Sequence, residues 1–298
     1  MGKPFQIRLI FFYCFLFAGL LFSTISCNST NETLPNDQSS EESSLAEDSL
    51  VYRIIIDDEI NPSVSRLVRR GIEEAEKREA DYLFIELETY GGLVVDADDI
   101  RTDILNCPIP VIIYIQNNAA SAGALISLAC DSIYMNPSAT IGAAAVVDQT
   151  GEVQAEKYQS YMRGKMRATA EANGRNPAIA EGMVDPSIVV PGISDSSKII
   201  TLTAQEAVSE DVNFCEGIAP DADSALRLAG LGEYAVQNHI PTSTDNVIGF
   251  FVRPVVSSLL LGLIVIGIVL EFKTPGVGLF VIISLVAAVL YFQPLYYE

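Results

Sequence analysis

The chain has 298 residues, a formal net charge of −20 and 49% hydrophobic residues. This length is enough for one sizeable domain with additional segments. The negative charge argues against nucleic acid as a partner, because few basic side chains remain to neutralise phosphates, and against a basic membrane-surface module. The sequence contains no glycine-rich phosphate loop and no Cys/His cluster with metal-ligand spacing, so we expect no metal and no other cofactor.

Residues 1–27 have the pattern of a secretory signal. Lys3 and Arg8 precede an apolar run from Leu9 to Ile25, and a small residue then precedes Cys27. This pattern predicts a lipoprotein signal with Cys27 as the lipidated residue, a cleaved signal peptide, or a retained anchor. All three alternatives carry the following domain across the membrane. Residues 28–49 are rich in Ser, Asn, Glu and Asp and contain no basic residue, which predicts an acidic flexible linker.

Residues 50–232 predict one α/β domain with mainly parallel strands, because apolar runs alternate with helical patterns. The predicted strands are Val51–Ile56, Tyr82–Leu87, Val111–Ile115 and Asp131–Met135. The first predicted helix is capped by Ser63 and ends near Ala80. Two further helices are predicted at Val94–Leu105 and Ala122–Leu128, a polar helix within 154–173, and a short helix capped by Thr203. Thr140 is predicted to begin a loop. The domain is predicted to end near Gly232, with a linker at 233–246.

Residues 247–298 contain two apolar stretches, Val255–Leu270 and Val277–Tyr291. Each stretch, with its flanks, approaches the ~20 residues that a helix needs to cross a bilayer. Together they predict a transmembrane helical hairpin. The alternative is a pair of helices buried in a soluble core.

One serine stands where a strand is predicted to turn into a helix. Ser121 lies among small residues, in the run Ala119–Ala124, soon after the apolar run Val111–Ile115. Such a turn can direct a serine side chain and the following backbone N–H groups at a substrate. The chain has one histidine, His239, so a Ser-His-Asp triad would have to use that single residue. If Ser121 is a nucleophile, we expect its base to be a lysine.

The stretch Ala119–Ala124, with Gly91-Gly92 before it and the Gly-Arg-Asn-Pro segment 174–177 after it, resembles the ClpP-class serine peptidases of membranes. The similarity is greatest to the NfeD group and more distant to signal peptide peptidase A, and it covers about 51–232. It implies a ClpP/crotonase-like α/β domain with repeated β-β-α units, between a secretory signal and transmembrane helices. The family's Thr-Pro-Gly-Gly loop is Thr-Tyr-Gly-Gly here. Longer members carry more transmembrane helices and an OB-like domain, so we expect a short form or an incomplete product.

The resemblance implies a Ser-Lys dyad, with Ser121 as nucleophile. Counting back from Gly174 by the family's interval gives Lys157 as the base, although the loop between serine and lysine is shorter here; Lys165 is the fallback. A lysine must be neutral to accept a proton. Its ordinary pKa of about 10.4 makes that cost roughly 4–5 kcal/mol at pH 7. Burial can supply a shift of this size.

The oxyanion formed during attack on a peptide carbonyl needs fixed donors. The candidates are the backbone N–H groups of Gly92 and Ala122, and the absence of a side chain at Gly92 allows close approach of the substrate. A peptide substrate is expected to lie extended beside the Gly91-Gly92 edge and to pair with it by backbone hydrogen bonds.

The sequence therefore predicts a membrane-anchored serine endopeptidase. The resemblance implies hydrophobic peptide segments as substrate, stomatin/prohibitin-like membrane proteins as partners, and a homo-oligomer that is at least a dimer. One alternative is a non-catalytic membrane scaffold of the same fold. Another is a crotonase-like enzyme acting on acyl-CoA, which the secretory segment and the acidic charge disfavour. We expect a multi-pass or anchored protein with an extracytoplasmic protease domain, an orientation that Lys3 and Arg8 favour and Arg253 does not.

Overall fold

The computed structural model describes residues 49–148, 150–194, 197–273 and 278–296. The predictions for the signal and for the linker up to residue 48, including the role of Cys27, lie outside the described residues. Ser49 already belongs to the first strand.

The domain is built on one eight-stranded sheet. Its strands are β1 Ser49–Ile56, β2 Tyr82–Thr89, β3 Val111–Ala120, β4 Ser132–Met135, β5 Thr140–Gly142, β6 Thr201–Thr203, β7 Gly217–Ile218 and β8 Tyr234–Asn238. The order is β6-β5-β3-β2-β1-β8, and β4 pairs with β3 and β7. All pairings are parallel except that of β5 with β6. The predicted mainly parallel α/β fold is confirmed.

Helices connect the parallel strands and cover the sheet. They are α1 Pro62–Lys77, α2 Val94–Leu105, α3 Ala122–Ala129, α4 Glu156–Ala172, α5 Pro177–Gly182, α6 Ala204–Ala207 and α7 Ala222–Leu228. The central strands read as nearly continuous apolar runs because both of their faces are buried. In β3, for example, the first five residues, Val111–Ile115, are all buried.

The structure corrects the predicted cap of α1 and the predicted loop at Thr140. Helix α1 is capped by Asn61, whose side chain accepts hydrogen bonds from the N–H groups of Ser63 and Val64; Ser63 lies inside the helix. Proline at the first position favours this start, because its missing N–H would have no helical partner. The predicted loop at Thr140 is wrong, because Thr140–Gly142 forms strand β5 beside the end of β3.

The sheet also extends beyond the predicted domain end. Strand β8 pairs in parallel with β1, with Val51 opposite Val236. Part of the predicted linker 233–246 is therefore an edge strand, which its short apolar pattern did not reveal.

The Gly-Arg-Asn-Pro segment has a structural role. Arg175 is buried, and its guanidinium donates hydrogen bonds to the carbonyls of Cys130 (2.9 Å) and Phe214 (3.2 Å) and to the Glu216 carboxylate (3.2 Å). The Asn176 side chain caps α5. This arginine thus joins the ends of α3 and α4 to the loop before β7.

Three further helices follow the sheet: α8 Ser243–Val252, α9 Pro254–Lys273 and α10 Leu279–Tyr296. The stretch Val255–Lys273 is long and apolar enough to cross a membrane, and Leu279–Gln293 is a shorter apolar helix. Most large apolar side chains of α9 and α10 are exposed. The structure therefore does not support the alternative, a helical pair buried in a soluble core.

Candidate active site

Ser121 lies at the junction of β3 and α3 in a strained backbone conformation. Its φ is 54° and its ψ is −114°, and a positive φ is unfavourable for a residue with a side chain. The conformation is held from both sides. The Ser121 N–H donates to the Gly142 carbonyl (2.9 Å), and the Ser121 carbonyl accepts from the Ala124 N–H (3.0 Å). Such a sharp turn between strand and helix is the geometry that presents a nucleophilic hydroxyl.

Gly91 lies against the Ser121 side chain. A Cβ placed on Gly91 would be 2.7 Å from the Ser121 Cβ and 3.1 Å from its Oγ, and the φ of Gly91 is 120°. The loop is fixed by Thr89, whose Oγ1 lies 3.2 Å from both the Gly91 nitrogen and the Gly91 oxygen. Both the backbone conformation and the close approach therefore require glycine at this position.

Gly92 pairs with Ile60 in an isolated parallel bridge. The Ile60 N–H donates to the Gly91 carbonyl and the Leu93 N–H donates to the Ile60 carbonyl, both at 2.8 Å. Neither bond uses the N–H of Gly92, and this N–H has no hydrogen-bond partner among the described residues. It is therefore free to donate to a ligand, and Gly92 directly follows Gly91, which packs against Ser121.

The other predicted donor belongs to Ala122, the first residue of α3. The first N–H groups of a helix have no partner within it, and the helix dipole favours negative charge there. Ser121 does not cap α3 with its side chain. Within the described part of the chain its hydroxyl makes no hydrogen bond. The structure thus brings together Ser121, Gly91, Gly92 and the start of α3.

Lys157 is not joined to this group. It is exposed on the first turn of α4, and its Nζ lies 4.7 Å from the centroid of the Tyr158 ring. Of the apolar residues near it in the sequence, Met162 is buried and Tyr158 is about half exposed. No hydrogen bond between Lys157 and Ser121 occurs among the residues that the structure describes.

Lys165, the fallback base, is engaged elsewhere. Its Nζ forms an ion pair with Asp98 at 2.8 Å, and the Tyr161 hydroxyl donates to the same carboxylate oxygen at 3.1 Å. The hydrogen bond to Asp98 raises the pKa of Lys165 above its ordinary value. A lysine held in its charged form cannot accept the serine proton, which argues against Lys165 as the base.

The loop from β5 to α4 connects the surroundings of Ser121 with Lys157. Val147 and Val153 form an antiparallel bridge within it. The Gln159 side chain anchors the loop, because its Oε1 accepts from the Val146 N–H at 3.0 Å and its Nε2 donates to the Val146 carbonyl at 2.6 Å. The conformation of this loop therefore sets where Lys157 stands.

Several large apolar side chains are exposed in the segments that lead to and from the Ser121 turn. They come from the glycine loop, the start of α2, the β5–α4 loop and the first turn of α4: Tyr90, Leu93, Val95, Val147, Val153 and Tyr158. Neighbouring exposed apolar side chains mark a binding surface more often than isolated ones do.

Three residues that sequence reasoning missed position this site: Ile60, Gly142 and Gln159. Ile60 and Gly142 act through their backbones, so no side-chain pattern could have identified them. Gln159 is a buried polar residue on the apolar face of α4, which is a weak signal in the sequence.

His239 takes no part in the Ser121 group. Its Nδ1 lies 3.0 Å from the Tyr52 hydroxyl oxygen, at the end of edge strand β8. Cys107, Cys130 and Cys215 are free thiols, and burial raises the pKa of Cys215 to about 11. Among the described residues, no group of three or more His, Cys, Asp or Glu side chains is placed to hold a metal ion.

Comparison with known proteins gives relatives over most of the chain. Membrane protein NfeD1b of Bacillus subtilis is 31% identical over 248 residues, which is 83% of this chain and 56% of the relative. Membrane-bound protease PH1510 of Pyrococcus horikoshii is 30% identical over 231 residues, which is 70% of this chain and 49% of the relative. This chain thus spans about half the length of these curated relatives.

Solved structures of a membrane-bound stomatin-specific protease, 1510-N, share the fold. A variant with one lysine replaced by alanine, in complex with a substrate peptide, has a TM-score of 0.59 and 26% identity and covers 69% of this chain and 98% of its own. A variant with one serine replaced by alanine has a TM-score of 0.58 and 26% identity, with coverage of 65% and 99%.

The family comparison accounts for both parts of the chain. The NfeD1b N-terminal domain matches residues 50–239, which include β8, and the NfeD integral membrane domain matches residues 255–298. This chain therefore belongs to the NfeD1b family of membrane proteins, with a membrane-protease-like α/β domain followed by apolar helices.

Proposed function

We propose that this protein is a membrane-anchored serine endopeptidase that uses a Ser121–Lys157 dyad. The observation that carries the proposal is the strained turn at Ser121 with Gly91 packed directly against its side chain. A backbone conformation that costs about 1–3 kcal/mol persists where the surrounding structure enforces it, and such sites are often catalytic. Sequence similarity to a membrane-bound protease also supports peptide-bond hydrolysis as the reaction.

In the proposed reaction, a neutral Lys157 amine takes the proton of the Ser121 hydroxyl while Oγ attacks the scissile carbonyl carbon. The N–H groups of Gly92 and Ala122 donate to the resulting oxyanion. Collapse of this intermediate breaks the C–N bond, and the Lys157 ammonium returns the proton to the leaving amine. Water then hydrolyses the ester on Ser121, with Lys157 again as the base.

The Lys157 amine, which is exposed, has to become buried for this reaction. Its Nζ lies over the exposed ring of Tyr158, and Val147 and Val153 in the preceding loop are also exposed. A second copy of the chain or a substrate that covers this segment would also bury the amine. Burial favours the neutral form of an amine. We therefore propose that the active protein is a homo-oligomer, at least a dimer, and that assembly or substrate binding completes the dyad.

The proposed substrate is a hydrophobic segment of a membrane-associated protein. The exposed apolar side chains around Ser121 favour apolar residues in the substrate. The N–H of Gly92 offers a backbone partner for an extended peptide. Because the 1510-N relative is a stomatin-specific protease, we propose a stomatin/prohibitin-like membrane protein as substrate or partner.

The membrane part of the proposal assigns α9 and α10, within 247–298, as a transmembrane hairpin, with the protease domain on the extracytoplasmic side. The NfeD membrane domain and the apolar stretch Val255–Lys273 support membrane association. Lys3 and Arg8 at the start of the signal support the orientation.

A serine-reactive fluorophosphonate probe tests the dyad. The full chain, extracted from membranes in mild detergent, should be labelled, as should the control variant Ser160→Ala, which changes an exposed serine on α4. Labelling should disappear in Ser121→Ala and fall at least tenfold in Lys157→Ala. Labelling that persists in Ser121→Ala would show that Ser121 is not the nucleophile.

A non-catalytic scaffold is the second candidate, and the exposed position of Lys157 favours it. In that case the fold binds a membrane partner without cleaving it. The same experiment separates the two, because an assembled, membrane-extracted protein that never reacts with the probe supports the scaffold.

A further inference from the structure

A cavity lies where the folded domain meets the segment that leads into α9. It has a volume of about 660 Å³ and is bordered by the end of β1, by α1, by Leu93 of the glycine loop and by α8. A neighbouring cavity of about 760 Å³ lies along α1 and β8. Arg66, Arg70 and His239 line both cavities, and Arg253 lines the first. These four residues are called the junction cluster below.

The junction cluster is a local concentration of basic groups in a chain whose net charge is −20. At physiological ionic strength charges are screened beyond about 8 Å. An anion inside the cavity therefore interacts mainly with the nearby guanidinium groups and only weakly with distant carboxylates.

One atom of the cluster lacks a partner. The Nη2 of Arg66 is buried and makes no hydrogen bond to any residue that the structure describes. A buried polar group without a partner destabilises the folded state, and a charged group does so more strongly. Buried donors in folded proteins are nearly always satisfied. Arg66 lines both cavities, so a small rotation of its guanidinium would let an acceptor carried by a ligand satisfy this nitrogen.

The carboxylates nearby do not fully offset the cluster. Glu74 is engaged by Lys77 and Arg78. Asp58 accepts a hydrogen bond from the backbone N–H of Glu59 at 2.8 Å. Asp57 and Glu73 also line the cavities, and both are exposed to solvent, where their charges are most effectively screened. Asp96 and Asp99 line the neighbouring cavity only. The first cavity therefore has two carboxylates, Asp57 and Asp58, against three guanidinium groups.

The first cavity also has an apolar part. Leu67, Leu93, Ile248 and Phe250 line it, and Leu93 and Phe250 are more than half exposed. Arg253 directly precedes α9, so the cavity stands where the chain enters the apolar helix. Basic side chains beside apolar ones at the start of a membrane helix match the boundary between lipid headgroups and acyl chains.

We infer that this cavity binds the phosphate headgroup of an anionic phospholipid, with Arg66 as the central ligand, Arg70 and Arg253 beside it, and the acyl chains leaving past Phe250. A bidentate guanidinium suits a phosphate. The inference rests on the proposed insertion of α9 into a membrane and not on the Ser-Lys dyad. Leu93 lines this cavity and also donates to Ile60 in the loop of Gly92, so the lipid would lie one residue from the proposed oxyanion donor.

Native mass spectrometry of the full chain in detergent tests the inference, with phosphatidylglycerol and phosphatidylcholine of identical acyl chains as probes. The wild-type chain should retain phosphatidylglycerol about tenfold more than phosphatidylcholine. This ratio corresponds to a difference of about 1.4 kcal/mol in binding free energy. Arg66→Gln should remove most of this preference. Arg253→Gln, at an exposed position, should reduce it about threefold. Arg167→Gln, an exposed arginine paired with Glu181 outside the cavities, should leave it unchanged.

Equal retention of the two lipids by the wild-type chain would overturn the inference. So would an unchanged preference in both Arg66→Gln and Arg253→Gln. Displacement of retained phosphatidylglycerol by millimolar inorganic phosphate would reassign the cavity to a soluble anion and also overturn it. Fluorophosphonate labelling of the same samples reports on Ser121 separately, so failure of the lipid site and failure of the peptidase proposal give different results.

Discussion

Gly91 and Ser121 are packed against each other so closely that a single methyl group on the glycine would lie 2.7 Å from the serine Cβ. The contact joins the loop after β2 to the turn after β3. Because both residues have positive φ angles, neither can relax without moving its own loop. The position of the Ser121 hydroxyl is thus set by two strained turns that support each other.

We expect Gly91→Ala to inactivate the protein. The added methyl group would overlap Ser121, and alanine disfavours the φ of 120°. The rate of fluorophosphonate labelling should fall about 100-fold, the scale expected for a nucleophile displaced by about 1 Å. The free energy of unfolding should fall by about 1–3 kcal/mol.

Gly164→Ala is the matched control for Gly91→Ala. Gly164 is on α4, and a Cβ there meets nothing within 4 Å. Alanine is favoured over glycine in a helix by about 1 kcal/mol, so this variant should be labelled normally and should be slightly more stable. Normal labelling of Gly91→Ala would contradict the proposed geometry.

The two lysines should differ in their effect on peptide cleavage. Lys157→Ala should lower the rate by about 10²–10⁴, the usual contribution of a general base. Lys165→Met should lower it far less, because Asp98 already holds that ammonium. Cleavage of an apolar reporter peptide by the detergent-extracted oligomer measures both. Loss of activity in Lys165→Met alone would reverse the assignment.

The Lys165–Asp98 pair should make stability depend on pH in the alkaline range. The folded protein raises the pKa of Lys165 above 10.5 through its hydrogen bond to Asp98. A raised pKa means that the stabilisation is complete below the unfolded value and is lost as the pH rises through the folded value.

The free energies of unfolding of the wild type and of Lys165→Met, measured in urea, should therefore differ by a constant amount between about pH 7 and pH 9. The two values should converge above about pH 10.5. A difference in the free energy of unfolding that instead grows at high pH would contradict the direction of the Lys165 pKa shift. Lys198→Met, at an exposed position, controls for the general effect of removing one positive charge.

Arg175→Gln should be among the most destabilising single changes in the domain. The side chain is buried and donates to Cys130, Phe214 and Glu216. Its loss would leave buried carbonyls unpaired, which costs about 1–3 kcal/mol each. We expect a decrease of at least about 3 kcal/mol in the free energy of unfolding.

Arg167→Gln serves as the comparison for Arg175→Gln. Arg167 is exposed and pairs with Glu181 at 2.6 Å, so its replacement should cost less than about 1 kcal/mol. Equal urea midpoints for the two variants would show that Arg175 does not hold the domain together as the structure indicates.

Much of the site was accessible from the sequence because local patterns encode it. The apolar run before Ser121 predicts a strand, and the small residues after it predict a tight turn into a helix. The glycines at 91 and 92 mark a loop with unusual backbone angles. These are short-range properties, set by side-chain size and by allowed φ and ψ values.

Other features depended on contacts between distant parts of the chain. Strand β3 continues to Ala120 because β5 pairs with residues 118–120. Strand β8 exists because β1 offers it an open edge. Lys165 is a weak candidate base because the fold places Asp98 beside it. No local pattern identifies which partner a strand or a lysine will meet.

By itself, the sequence determined the alternation of strands and helices, the turn that carries Ser121 and the apolar segments near the end of the chain, because each of these follows from neighbouring residues. The tertiary structure decided that Gly91 touches Ser121, that Lys165 is paired and that Arg66 has a buried, unpartnered nitrogen. These facts depend on which surfaces pack together when the chain folds, and packing joins residues that are far apart in sequence.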